Sequence, residues 1–196
     1  MTKSTVLLVA LVVFASGLHI KMQHQALLAD GLVTLKVDHP TYLARCNTCG
    51  STQGTGADAG TFQSLTQAGP LAIWTLESVG DQIALKADNG KYLTVCPKCW
   101  TRSVNADPAF ATGTSPSGAS LWTPEKLENG KWILKGSNGK YLGRCLDCAT
   151  GSPFRSTTFV HSIAPTIDLF AQWTIEYVFP TGNVNLQSDS GTYMAR

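Results

Sequence analysis

Charge is scarce in this chain. Asp, Glu, Lys and Arg supply 14% of its 196 residues and the net charge is only +2, where an average globular chain gives about a quarter of its positions to charge. No basic run and no basic–aromatic interleaving occurs, which argues against nucleic acid as a partner. No segment after residue 30 keeps a helical period. The longest apolar run, Val6 to Phe14, has nine residues, short of the roughly 20 that a membrane-spanning helix needs. There is no glycine-rich phosphate loop, no G-x-S-x-G and no acidic metal loop. The four histidines, His19, His24, His39 and His161, have no spacing that makes a metal site. Asn47-Thr48-Cys49 is only the rare cysteine variant of a glycosylation sequon. These absences leave no catalytic constellation. The expectation is a protein that is not an enzyme, with no cofactor and no metal.

What is present begins with an export signal. Lys3 gives a positive start, Val6 to Phe14 an apolar core, and Ala15-Ser16-Gly17 small residues for cleavage. Residues 1–17 are therefore expected to be a signal peptide, and 18–31 a leader or extended segment. No membrane span remains after signal removal, and the protein is expected outside the cell. The alternatives for the first run are a strand or an uncleaved anchor.

The chain repeats itself. Tyr42, Tyr92, Tyr141 and Tyr193 are 50, 49 and 52 residues apart, Trp74, Trp122 and Trp173 are 48 and 51 apart, and Phe62, Phe110 and Phe159 are 48 and 49 apart. Each repeat reads as four short strands. The first alternates apolar and polar residues, as at Val33 to Val37, Ile83 to Lys86 and Trp132 to Lys135, the mark of a half-buried strand. Asn89-Gly90 and Asn138-Gly139 then read as two-residue hairpin turns. A Tyr-Leu strand, a strand around the Phe and a strand led by the Trp complete the unit. Three repeats of four strands predict an all-β fold, a β-trefoil of twelve strands over 32–178, divided at 32–80, 81–130 and 131–178. Its expected core is Leu35, Tyr42, Leu43, Phe62, Trp74, Leu85, Tyr92, Leu93, Phe110, Trp122, Leu134, Tyr141, Leu142, Phe159 and Trp173.

Leu-Lys-Ala-Asp-Asn-Gly-Lys-Tyr-Leu at 85–93 and Ile-Trp-Thr-Leu-Glu at 73–77 resemble the repeat units of the fascin-like β-trefoils, the actin-crosslinking superfamily. The resemblance implies the fold. Actin bundling is not carried over: this chain reads as secreted, holds one trefoil, and adds a C-x-x-C pair to each repeat. The ricin-type Gln-x-Trp motif is absent, since Gln172 stands directly beside Trp173.

The six cysteines form three C-x-x-C pairs. Zinc knuckles sit roughly 15–20 residues apart, whereas the gaps here are 47 and 46. Redox catalysis needs a helix N-terminus to lower the thiol pKa, and these pairs follow strands. In an oxidising compartment the expected pairs are structural disulfides, Cys46–Cys49, Cys96–Cys99 and Cys145–Cys148. A paired Cys145 is no nucleophile, so His161 forms no dyad with it. Glu77, Glu125 and Glu176 recur after each Trp, too far apart for an acid/base pair, and are expected to serve Lys neighbours or backbone donors. Trp132 and Trp100 stand apart from the repeating aromatics. Trp100 stands where the other repeats have Gly50 and Ala149 and is a candidate contact, for a sugar or for another chain, or else a loop residue folded onto the barrel.

Residues 183–196 write the first two strands again: Leu186 aligns with Leu35, Tyr193 with Tyr42, Met194 with Leu43 and Arg196 with Arg45. Residues 179–196 are thus the start of a second trefoil, a simple packed tail, or a hairpin donated to a neighbouring copy, which would build a homo-oligomer or head-to-tail homo-polymer. The functional expectation is a non-enzymatic extracellular structural or binding module, with a glycan or protein partner. The alternatives are a lectin that uses the three loops after the cysteine pairs, and a protease inhibitor.

Overall fold

The same turn recurs at three places among the described residues. The Ala87 carbonyl accepts from Gly90 N–H at 2.9 Å, and the Asn89 side chain accepts from Lys91 N–H at 3.0 Å. The same pair of bonds closes Gly136 to Lys140 and Leu127 to Lys131. The hydrogen bonding puts Asp88 and Asn89, not Asn89 and Gly90, at the centre of the turn. The glycine takes the next position, where φ is 76° at Gly90 and 78° at Gly139. That corrects the two-residue hairpin: the Asn side chain ties back to the backbone, and a left-handed glycine then returns the chain to the strand.

The computed structural model describes residues 30–38, 41–46, 61–64, 70–97, 99, 107–146, 148 and 156–178. The signal and leader up to residue 29, Cys49, Trp100 and the copy at 183–196 lie outside the described residues. Twelve strands run β1 (Gly31–Lys36), β2 (Tyr42–Arg45), β3 (Thr61–Ser64), β4 (Trp74–Val79), β5 (Gln82–Lys86), β6 (Tyr92–Val95), β7 (Asp107–Gly113), β8 (Thr123–Lys126), β9 (Trp132–Lys135), β10 (Tyr141–Leu146), β11 (Ser156–Ser162) and β12 (Thr174–Tyr177). One-turn 3-10 segments at Pro70–Ala72, Gly118–Ser120 and Leu169–Ala171 precede each repeating Trp.

Pairing closes six of these strands into a ring. β4 pairs with β1 and β5, β8 pairs with β9, and β12 pairs with β1, all antiparallel. Single bridges, Ile83 to Trp122 and Trp132 to Trp173, complete it. The other six strands form three pairs, β2–β3, β6–β7 and β10–β11. These join where β11 meets both β7 and β3. A closed ring capped by three hairpins is a β-trefoil, and closure removes the exposed edges that invite aggregation.

The core follows the threefold. Leu35, Leu85 and Leu134, with Leu43, Leu93 and Leu142, are fully buried around Trp74, Trp122 and Trp173. Each indole N–H donates to the carbonyl of a Tyr-Leu strand, Leu43, Leu93 or Leu142, at 2.9–3.0 Å. A buried donor left unpaired would cost about 1–3 kcal/mol, so these bonds position each ring as well as filling space. Tyr42 and Tyr92 are buried, Tyr141 is half-buried, and the Phe62 side chain lies outside the description.

Two further expectations change. The first strand of each repeat is not half-buried, because Thr34, Ala84 and Ile133 are buried as well. Each stands directly opposite a glutamate in register, Glu176, Glu77 or Glu125. Trp132 is not a departure from the repeat. It occupies the Val33 and Ile83 position, and all three residues pair with a repeating Trp.

Candidate functional site

The repeated polar residues serve the frame. Glu77 accepts from the Tyr92 hydroxyl at 2.8 Å and stands 3.7 Å from Lys86. Its carboxylate raises the Tyr92 pKa, while burial first and Glu125 second raise that of Tyr141. Lys36, Lys86 and Lys135 each lie 5.5–5.8 Å over the ring of Tyr42, Tyr92 or Tyr141. These glutamates and lysines are sheet partners, spent on the frame.

The disulfides are also part of it. Cys96–Cys99 and Cys145–Cys148 are bonded, with Cα atoms 5.3 and 5.7 Å apart. Cys46 is disulfide-bonded too. Cys96–Cys99 packs on Phe110 and Cys145–Cys148 on Phe159, so in these two repeats the Phe forms a floor under the clip. Among the described residues no group of acids, histidines and cysteines could hold a metal ion.

Two arginines clamp neighbouring repeats. Arg45, only 6% exposed, grips Asp88 through Nε at 2.5 Å and Nη2 at 2.7 Å, and donates through Nη1 to the Cys46 carbonyl at 3.1 Å. Arg144 grips Asp38 at 3.0 and 2.6 Å. The first clamp joins repeats one and two, and the second joins three and one. At the third junction the corresponding residues are Val95 and Ser137, and Asn138 donates to Asp107 at 2.8 Å instead. The Arg45 guanidinium holds the Asp88 carboxyl below its ordinary value, and Asp38 raises the Arg144 pKa. Sequence reasoning missed both clamps. The signal was there, an Asp four residues before, and an Arg three residues after, a repeating Tyr.

The third repeat also carries a feature that the other two do not repeat. A cleft of about 220 Å³ opens there between Arg144, Cys145, Leu146, His161 and Phe170. The His161 and Phe170 rings stack with centroids 5.2 Å apart and planes 4° from parallel. The other repeats place Ser64 and Thr112 where His161 stands, and Leu71 and Ala119 where Phe170 stands. Gly143 permits the approach: a Cβ there would meet both the Phe170 ring and its carbonyl at 3.1 Å. Burial lowers the His161 pKa, against the Phe159 carbonyl and the Asp168 charge, and Nδ1 has no hydrogen-bond partner.

The loop that carries Phe170 is held from beneath. Buried Gln172 donates to the carbonyls of Pro165 and Thr166 at 3.0 Å, and its own carbonyl accepts from Asn129 at 2.9 Å. Ser162 donates to Asp168 at 2.7 Å. So supported, the loop exposes Ile163 at 80%, Ile167 at 76% and Leu169 at 57%, and Leu146 on the cleft is 58% exposed. Among the described residues the fifth large exposed apolar side chain is Leu32.

No protein-family model matches this chain, and no curated protein matches it by sequence. Solved structures do match. The designed threefold-symmetric protein ThreeFoil aligns with a TM-score of 0.57 and 20% identity, over 76% of this chain and 100% of its own. A lectin of Polyporus squamosus, solved with the epitope Neu5Aca2-6Galb1-4GlcNAc, gives 0.54 and 16%, over 76% of this chain and 49% of the lectin. A salivary protein of Culex quinquefasciatus, from a cysteine and tryptophan-rich family, gives 0.54 and 18%, over 77% and 96%. This chain spans about half the length of that lectin. At such identities the likeness is one of fold, the β-trefoil.

Proposed function

We propose that this chain is a non-enzymatic extracellular binding module whose partner docks on the third repeat. One observation carries the reading: among the described residues, four of the five large exposed apolar side chains are Leu146, which lines the unrepeated cleft, and Ile163, Ile167 and Leu169, which lie on the segment between its lining residues His161 and Phe170. Water-facing aliphatics on a braced loop are costly unless something covers them, and such patches mark interaction sites. Secretion belongs to the same reading, since disulfides persist in oxidising compartments. So does kinship with the fascin-like trefoils, supported by the Gly-Lys-Tyr-Leu and Trp-Thr-x-Glu signatures.

Binding of the fluorescently tagged protein to intact cells and to deposited extracellular matrix tests the reading, with Ile163→Asp/Ile167→Asp as the comparison. Loss of binding in the variant with an unchanged melting temperature supports it. Equal binding by both proteins moves the partner off this surface.

A carbohydrate-binding reading is favoured by the flat His161–Phe170 pair at the cleft, since sugars pack their apolar faces on such rings. A glycan array decides it: signals lost on Phe170→Ala support a lectin, and a blank array removes it. Self-association through 183–196, which repeat 32–45, is the structural side of the same module. Native mass spectrometry and electron microscopy read it directly, and a monodisperse monomer would rule it out.

A further inference from the structure

We propose that Asn89 is a site of spontaneous deamidation, and that its conversion to isoaspartate releases the clamp between repeats one and two. The chain writes Asn-Gly-Lys three times, at 89–91, 129–131 and 138–140. Asn-Gly is the reactive pair for this chemistry, because glycine puts no side chain in the way of ring closure. By sequence the three sites are equals. Their side-chain amides are not.

The three turns share one geometry. Each Asn Oδ1 accepts from the Lys N–H at 3.0 Å, and each Gly N–H donates to the carbonyl three residues back at 2.9–3.0 Å. Gly90, Gly130 and Gly139 hold φ between 76° and 81°. The first bond polarises the side-chain carbonyl for attack and the second restrains the attacking nitrogen, and both act on all three turns alike. The difference lies at Nδ2. Asn129 Nδ2 donates to the Gln172 side-chain oxygen at 2.9 Å, and Asn138 Nδ2 donates to Asp107 at 2.8 Å and to the Val160 carbonyl at 3.4 Å. Among the described residues the Asn89 side chain makes no bond beyond the one to Lys91. Asn89 and Asn129 are both exposed, so access to water does not separate them and the tether does.

The reaction needs Cγ to swing onto the glycine nitrogen. The Gly90 nitrogen gives up its proton and attacks Asn89 Cγ. A C–N bond forms, the Cγ–Nδ2 bond breaks, and ammonia leaves with the proton. Water then opens the five-membered imide, at the main-chain carbonyl to give isoaspartate or at Cγ to give aspartate. Nothing is oxidised or reduced. A tethered Nδ2 must first be freed, which holds Asn129 and Asn138 back.

Asn89 adjoins the clamp. Asp88 holds Arg45 through two bonds, and its carboxylate also accepts from the Asn89 N–H. Isoaspartate lengthens the main chain by one carbon directly after Asp88, removes the bond from Lys91 to the Asn89 side chain, and lowers the net charge of +2 by one. Arg45 is buried, so displacing Asp88 leaves its charge unmet, which is costly.

The folded full chain, held at mildly alkaline pH and mapped by mass spectrometry after digestion, tests the proposal. Asn89 is expected to convert first, mainly to isoaspartate. From the usual worth of the tethers, Asn129 should react about fivefold slower and Asn138, held by a carboxylate, about tenfold slower or more. In the urea-unfolded chain all three should react at similar rates. Asp107→Ala should raise the Asn138 rate toward that of Asn89. The isoaspartyl form, separated by ion exchange, should unfold at a lower urea midpoint than the parent. Equal rates at the three turns of the folded chain, an Asn138 rate unmoved by Asp107→Ala, or a parent-like midpoint for the modified form would each overturn the proposal.

Discussion

A single guanidinium shows how finely one residue can be placed in this protein. Arg45 is almost wholly buried, and its charge is met by Asp88 and the Cys46 carbonyl. Asp88→Asn removes the countercharge and leaves the guanidinium behind. The expected loss is about 2 kcal/mol, below the roughly 3–5 of a fully buried pair because the Asp88 side chain is still 27% exposed. Urea unfolding at neutral pH measures it. The folded Asp88 pKa is depressed, so the pair contributes fully above the unfolded value of about 3.9 and is lost as pH falls through the folded one. The variant and the parent should therefore converge in strong acid. His161 works in a higher window. Its folded pKa is lowered by burial, so the folded state favours the neutral ring. Stability is complete above the unfolded value of about 6.5 and declines as pH falls below it. Thermal scans from pH 7.5 to 5 should show that decline in the parent and a flatter profile in His161→Gln. An equal slope in both would remove His161 as the source.

At the scale of the element, the turns are the most demanding pieces. Gly90 and Gly139 hold the left-handed region at 76° and 78° with open space around the missing Cβ. The cost of an added methyl is then conformational and not steric against neighbours. Gly90→Ala and Gly139→Ala should each lose about 1–2 kcal/mol, the penalty of a left-handed L-residue, read as a fall in urea midpoint with an unchanged slope. The turn type was only partly legible in the sequence. Asn-Gly marked the right place, but the register of the turn depends on the Asn side chain bonding the Lys N–H, a contact that no dipeptide rule contains. The alternation of the first strands also misled. Alternation reports which side chains are polar, whereas Ala84 and Ile133 are apolar and buried, and Thr34 is buried although polar.

For the whole molecule, symmetry separates frame from site. Trp74, Trp122 and Trp173 have the same burial and the same indole bond. Each Trp→Phe change should cost a similar amount, about 2–3 kcal/mol for lost contacts and an orphaned carbonyl, with the three values within about 1 kcal/mol of one another by urea unfolding. A much larger loss at one position would show that the three sites are not energetically equivalent. The cleft obeys no such symmetry. His161, Phe170 and Gly143 occur together once, so a method that looks for repetition passes over them.

The spacing of Tyr, Trp and Phe by itself determined the β-trefoil, because a recurring buried residue at one period requires a recurring strand unit, and three such units close a barrel. The cysteine spacing allowed local clips, but three steps of extended chain would span about 10 Å, and only a chain that turns after the strand brings the Cα atoms to the 5.3 and 5.7 Å seen at Cys96–Cys99 and Cys145–Cys148. Only the tertiary structure decided which unrepeated residues meet. Arg144 finds Asp38 from 106 positions away, and His161 finds Phe170 because Gly143 lets a loop settle on β10. Those meetings depend on closure of the barrel, which brings residues together by angle around an axis and not by distance along the chain.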